Sequence, residues 1–108
     1  MKIFILIALL FASMSLSAQT AGEQLATKIA QKMKDTLSLT EQQYNQIYGI
    51  NMQLHQQKQQ MFGQYKGDSL RLQLQRIEST RDTLYSAALS AEKYQLYKQK
   101  KINLVNNN

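Results

Sequence analysis

The chain offers one histidine, His55, and no cysteine. Met52 stands three residues before it, so on a helix both side chains can face one metal ion. One imidazole without a thiolate falls short of the ligand set that zinc takes from a single chain, although a dimer would double it. No metal site and no cofactor are expected. The carboxylates Glu23, Asp35, Glu41, Asp68, Glu78, Asp82 and Glu92 fall at helix starts and on solvated faces. There is no nucleophile with a partner base, no glycine-rich phosphate loop and no HExxH metal motif. The chain therefore reads as a non-enzyme, with recognition as its chemistry.

Recognition needs a scaffold, and the composition points to helices. Proline is absent, and glycine occurs only at positions 22, 49, 63 and 67. Met1 and Lys2, the apolar run Ile3 to Ala12 and the small residues Ser13 to Ala18 have the order of a secretory signal peptide. Cleavage after Ala18, or one residue earlier, leaves a single domain over 19–108. Ten apolar residues span about 15 Å of helix, half of a bilayer core, which argues against an uncleaved membrane anchor; no stable membrane insertion is expected after cleavage. The expected location is the periplasm of a Gram-negative bacterium. The formal net charge of +6 is diffuse, with only Lys100 and Lys101 adjacent. For an exported chain this favours acidic protein surfaces or anionic envelope components, and no nucleic acid.

The apolar spacing predicts an all-α fold with helices at about 21–37, 41–65, 70–88 and 91–105. In the first, Leu25, Ile29, Met33 and Leu37 recur every fourth residue, with Ala26 and Ala30 beside them. The second opens on a capping box, with Thr40 capping the amide of Gln43 and Gln43 reaching back. Leu39 and Tyr44 have the spacing of a hydrophobic staple. Its stripe is Tyr44, Ile47, Asn51, Leu54, Lys58, Met61 and Tyr65. The third carries Leu70, Leu74, Ile77, Arg81, Leu84 and Ala88. Two such seams around Gly67-Asp68-Ser69 read as an antiparallel helical hairpin flanked by two shorter helices. Gly67 is expected to end the second helix, and Asp68 or Ser69 to cap the third.

Fifty residues after the first box, Leu89-Ser90-Ala91-Glu92-Lys93-Tyr94 repeats the design of Leu39-Thr40-Glu41-Gln42-Gln43-Tyr44. Both have a leucine, a hydroxyl cap, an acid in the first turn and a tyrosine four after the cap. The repeated helix start resembles the LTxxQ-motif family of periplasmic proteins (Spy/CpxP-like). The first copy matches in full; in the second, serine replaces threonine and lysine replaces glutamine. Arg81 and Tyr97 also look like the family. The resemblance implies an elongated, four-helix hairpin that pairs into a cradle-shaped dimer. It also implies ATP-independent chaperoning of unfolded envelope proteins, or restraint of an envelope stress sensor. A regulatory partner of a membrane sensor and a metal-responsive sensor are the alternatives.

The motif residues Leu39, Thr40, Gln43, Arg81, Leu89 and Ser90 are expected to be structural, each cap contributing about 1 kcal/mol. Candidate client or partner contacts are Tyr48, Ile50, Met52, Lys58, Met61 and Phe62 on the second helix, and Lys28 and Lys32 on the first. The apolar face of the second helix is wider than one neighbour needs. Either the first and fourth helices cover the excess, or it serves a homodimer or a client. Arg81, inside an apolar stripe, is expected to snorkel, to pair with Glu78, or to bond across helices near a motif loop. Gly49 suggests a close helix contact or a bend.

Overall fold

A computed structural model describes residues 21–106; the signal-peptide reading and the last two residues of the tail lie outside them. Every regular element among the described residues is a helix: α1 (Ala21–Leu37), α2 (Glu41–Gln64), α3 (Gly67–Ala88) and α4 (Ala91–Lys101), which runs into a π-helical turn, Ile102–Asn106. The all-α expectation holds, and the helix bounds agree within a residue except at two ends. α3 begins three residues early, and α4 gives way to the wider turn after Lys101.

The caps explain the bounds. Gln43 N–H donates to Thr40 Oγ1 and Thr40 N–H to Gln43 Oε1, both at 3.1 Å, so the capping box forms as read. Lys93 N–H donates to Ser90 Oγ at 3.3 Å, giving α4 its cap. Neither Asp68 nor Ser69 caps α3, whose N-cap is Lys66 without a side-chain bond. Gly67 takes φ +59° there, a conformation cheap only for glycine, and this turns the chain before Asp68 is reached. Asp68 pairs instead with Arg71 at 3.0 Å.

Each long helix lies against the next in an antiparallel sense. Asn51 of α2 bonds to Ala26 of α1, while Lys34 pairs with Glu41 near the connecting turn. Asn51 and Lys58 of α2 meet Arg81 and Glu78 of α3 in the same way. α1 is 17 residues long and α2 24, so α1 covers only the first part of α2. α4 closes the same end, packing on α1 and α3.

One core fills that end. Ile29, Ala30, Met33 and Leu37 of α1 meet Leu39, Ile47, Tyr85, Leu89, Tyr97 and Leu104. Burying a side chain of this kind is worth roughly 1.5–3 kcal/mol. The fifty-residue repeat reappears in burial: Leu39 and Leu89, Ile47 and Tyr97, and Leu54 and Leu104 are all buried. α4 therefore repeats the inward face of early α2. The α1 seam is displaced from the expected stripe. Ala26 and Ala30 are buried, while Leu25 is exposed. The two alanines let α1 approach α2 closely, and this turns Leu25 outward.

Candidate functional site

Arg81 is the centre of the polar contacts. Its guanidinium is buried, donating from Nε to Glu78 Oε2 and from one Nη to both Asn51 Oδ1 and Tyr85 Oη, each at 2.9 Å. Tyr85 also donates to Asn51, and Lys58 donates to Glu78. Asn51 Nδ2 donates to the Ala26 carbonyl at 3.2 Å, carrying the network into α1. The expected pairing with Glu78 is present. The cross-helix bond goes to an amide side chain midway along the hairpin rather than to a group beside a motif loop, and the side chain does not snorkel. The reason is register: α3 places Arg81 opposite Asn51, nine residues from the Ser90 cap.

Burial opposes ionisation of Glu78, but hydrogen bonds from Arg81 and Lys58 outweigh it and hold the carboxyl below its ordinary value. Burial also pushes the Tyr85 hydroxyl up. Tyr97 is raised as well, by burial and by its hydrogen bond to Asp82 Oδ1 at 2.9 Å. Lys101 meets the same carboxylate at 2.9 Å, tying α4 to α3. The Tyr97 ring sits edge-on to Tyr85, with centroids 4.9 Å apart.

The two motif copies touch. Lys93 Nζ donates to Ser38 O and to Gln43 Oε1, each at 2.9 Å. Lysine in place of glutamine thus reaches from the second helix start to the first. Ser38 has φ 55°, and Leu39 N–H returns to Lys34 O at 3.3 Å, a Schellman-type end for α1. Leu39 and Leu89 are buried in the core, with Tyr44 and Tyr94 packed against it. These contacts are internal, in keeping with a structural role for the motif.

The proposed contact residues separate into groups. Tyr48 and Ile50 pack partly against the core. Ile50 also lines a groove with Gly49, Leu84 and Ala88. Gly49 is exposed and a Cβ there would meet open space, so neither the close contact nor a need for glycine is found. Met52 and His55 line an open groove beside Ala21 and Glu23. His55 lies over Gly22, where a Cβ would overlap the imidazole, so its ring packs onto the start of α1. No group of three or more His, Cys, Asp or Glu converges among the described residues. Lys58 is held by Glu78, and Lys32 donates to Asn103 O at 3.3 Å. Lys28 is exposed on α1, and Met61 is half-buried on α2.

Beyond Leu54 on α2 and before Ile77 on α3, no described residue is buried. Past His55 and the groove it shares with Ala21 and Glu23, these two stretches and their connection form an arm of two helices among the described residues. Phe62 is 54% exposed and Leu72 48%. Met61, Tyr65, Leu70 and Leu74 are half-buried. α1 therefore covers the wide face of α2 about as far as His55, and α4 meets α2 at its start, where Lys93 bonds to Gln43 and Tyr97 shares the core with Ile47. Phe62 was legible from its place beside the main stripe. Leu72 was not, because it stands alone on the outer side of α3. No helix among the described residues is long and apolar enough to cross a membrane. Comparison with protein-family models, curated proteins and solved structures gives no match.

Proposed function

We propose that this chain is an exported, non-enzymatic helical chaperone or envelope-stress adaptor of the LTxxQ type, working in the periplasm as a homodimer. In this reading it has the elongated hairpin of the Spy/CpxP-like proteins and holds unfolded or partner proteins without ATP. The observation that carries the proposal is the arm, where Phe62 and Leu72 stay open to solvent and no described residue is buried; Leu25 and Ile102 are exposed on the body as well, but beside a buried core. Exposed apolar side chains on a polar helix pair give a partly unfolded chain many weak contacts and no deep site. Lys66, Arg71 and Arg76 are exposed on the same arm and add a basic rim. Charge of that kind speeds encounter, and the apolar contacts set release.

The test is suppression of aggregation, measured with several unrelated unfolded proteins. The whole chain is expected to suppress all of them, and Phe62→Ser with Leu72→Ser to raise the client off-rate while the fold persists. Raising salt is expected to slow association more than it speeds release, since charges are screened beyond about 8 Å at physiological ionic strength. Suppression of none of the substrates, or tight binding to one membrane protein alone, would replace this reading with that of a dedicated regulatory partner.

A further inference from the structure

The hairpin of α2 and α3 has two broad faces. α1 lies on one of them, where His55 rests on Gly22 and Asn51, Lys58 and Arg81 meet the first turns of α1. The other holds a groove in which Ile50, Leu84 and Ala88 lie between Gln46, Gln53 and Ala87, and no residue of α1 or α4 lines it. Helical spacing carries this face along the hairpin. On α2, Gln57 and Gln64 follow Ile50 at intervals of seven, as His55 and Phe62 follow Tyr48 on the α1 side. On α3, Gln73, Thr80 and Ala87 repeat at the same interval. Gln53, Gln64, Thr80 and Ala87 are exposed.

None of these side chains is charged. The charges of the hairpin are spent elsewhere: Glu41 pairs with Lys34 of α1, Glu78 with Lys58 and Arg81 at the junction with α1, and Asp82 with Lys101 of α4. Asp68 and Arg71 pair beside Gly67, and Arg76 borders the face at its outer edge. A surface that meets a copy of itself sets each residue near the two-fold axis against its own kind. Two lysines there repel, and the chain is basic overall at +6. Two glutamine amides do not, because each carries both donors and an acceptor. Uncharged amides around an apolar floor therefore suit a second copy and offer a charged partner nothing to pair with. The area is sufficient as well. α2 has 24 residues, which makes it about 36 Å long, and two packed helices are about 20 Å wide. Two such faces bury roughly 1,400 Å², within the range of about 1,200–2,000 Å² that stable interfaces occupy.

We propose that the hairpin face opposite α1 is the homodimer interface, each copy setting its Ile50–Leu84 groove against the same face of the other. This rests on the homodimer reading above and names the surface that the pairing uses. Phe62 lies on the α1 side and Leu72 on the outer side of α3, so the dimer leaves both open to clients.

The test is sedimentation equilibrium of the exported chain and of three variants with equal added charge, each checked for unchanged helicity by circular dichroism. Gln53→Lys and Ala87→Lys put a lysine on the interface, and each should raise the dimer dissociation constant by about tenfold or more. Gln56→Lys adds the same charge to the groove beside Met52 and His55, on the α1 side, and should leave the constant nearly unchanged. A second readout needs no variant: on dilution of the unaltered chain, the side-chain amide resonances of Gln53 and Gln57 should shift while those of Gln56 and Gln59 stay in place. A dimer that the three variants leave intact, or weaken alike, would overturn this interface and leave the homodimer standing. So would dilution shifts at Gln56 and Gln59 instead. A chain that stays monomeric at high micromolar concentration would overturn the homodimer as well.

Discussion

The body and the arm are built from the same two helices, yet they are held by different physics. In the body, α2 has neighbours on two sides and buries Ile47, Asn51 and Leu54. Along the arm its neighbour among the described residues is α3, and the seam residues Lys58, Met61 and Tyr65 are half-buried. Helix propensity and the heptad-like seam continue unchanged across the boundary; what changes is the number of helices. A two-helix layer leaves one side of every side chain in water, so less apolar area leaves solvent per residue. Local opening free energy should therefore fall from the Tyr85–Tyr97 core toward Gly67. The contrast teaches that a helix can be fully formed and still offer an open surface.

The sharpest way to break this comparison is at the boundary itself. Arg81→Met removes the guanidinium that Glu78, Asn51 and Tyr85 share, leaving Glu78 to Lys58 and the Asn51–Tyr85 pair without its charged donor. It should cost about 3–5 kcal/mol by urea unfolding, as breaking a buried charged network does. Leu54→Ala, one turn beyond Asn51, should cost about 2–5 kcal/mol. Leu74→Ala on the arm should cost less than either. Equal losses for Leu54→Ala and Leu74→Ala would mean that the arm is as well packed as the body, and the distinction would fail.

The pH limits sharpen the same contrast. Glu78 is held below its ordinary value of 4.5, so the stability it contributes is present above that pH and is lost as pH falls through the folded value. Tyr97 is raised above its ordinary value of 10.0, so its contribution is intact below pH 10 and is lost as pH climbs beyond it. Acid should thus loosen the root of the arm, and alkali the core of the body. Hydrogen exchange followed amide by amide would check the order. Protection lost first around Tyr97 in acid would contradict it.

The smallest expected effects are backbone ones. Ser38 holds a left-handed φ that costs an ordinary residue about 1–2 kcal/mol, so Ser38→Gly should stabilise by a fraction of that. Gly49→Ala, on an exposed helix with open space around it, should gain about 0.5–1 kcal/mol. Both are read as shifts in the urea midpoint. A loss at position 49 would show that the groove beside Ile50 and Leu84 needs the glycine.

Much of this was legible in the residues. Thr40 and Gln43 specify a helix start because capping is a local affair of side chain and nearby amide. The seam through Ile47, Asn51 and Leu54 follows from helical period alone. Other readings failed where partners come from afar. The hydroxyl and carboxyl after Gly67 looked like caps, but the chain had already turned at the glycine. Leu25 had the right spacing for the core, yet the alanines beside it set how closely α1 approaches. Tyr85 lay outside the expected stripe, and its burial depends on Arg81, Asn51 and Tyr97 arriving together.

By itself the sequence determined the helices, their caps and the repeat of the motif start, because these depend on interactions within a few residues. It also determined that α2 outruns α1, since helix length is read directly from pattern. Only the tertiary structure decided that Lys93 bridges the two motif turns, that Arg81 meets Asn51 across the hairpin, and that Phe62 and Leu72 remain uncovered. Each of these is a statement about which distant residue occupies the neighbouring space. Spacing along one helix gives a side chain its direction, and packing between helices supplies the partner or leaves it in water.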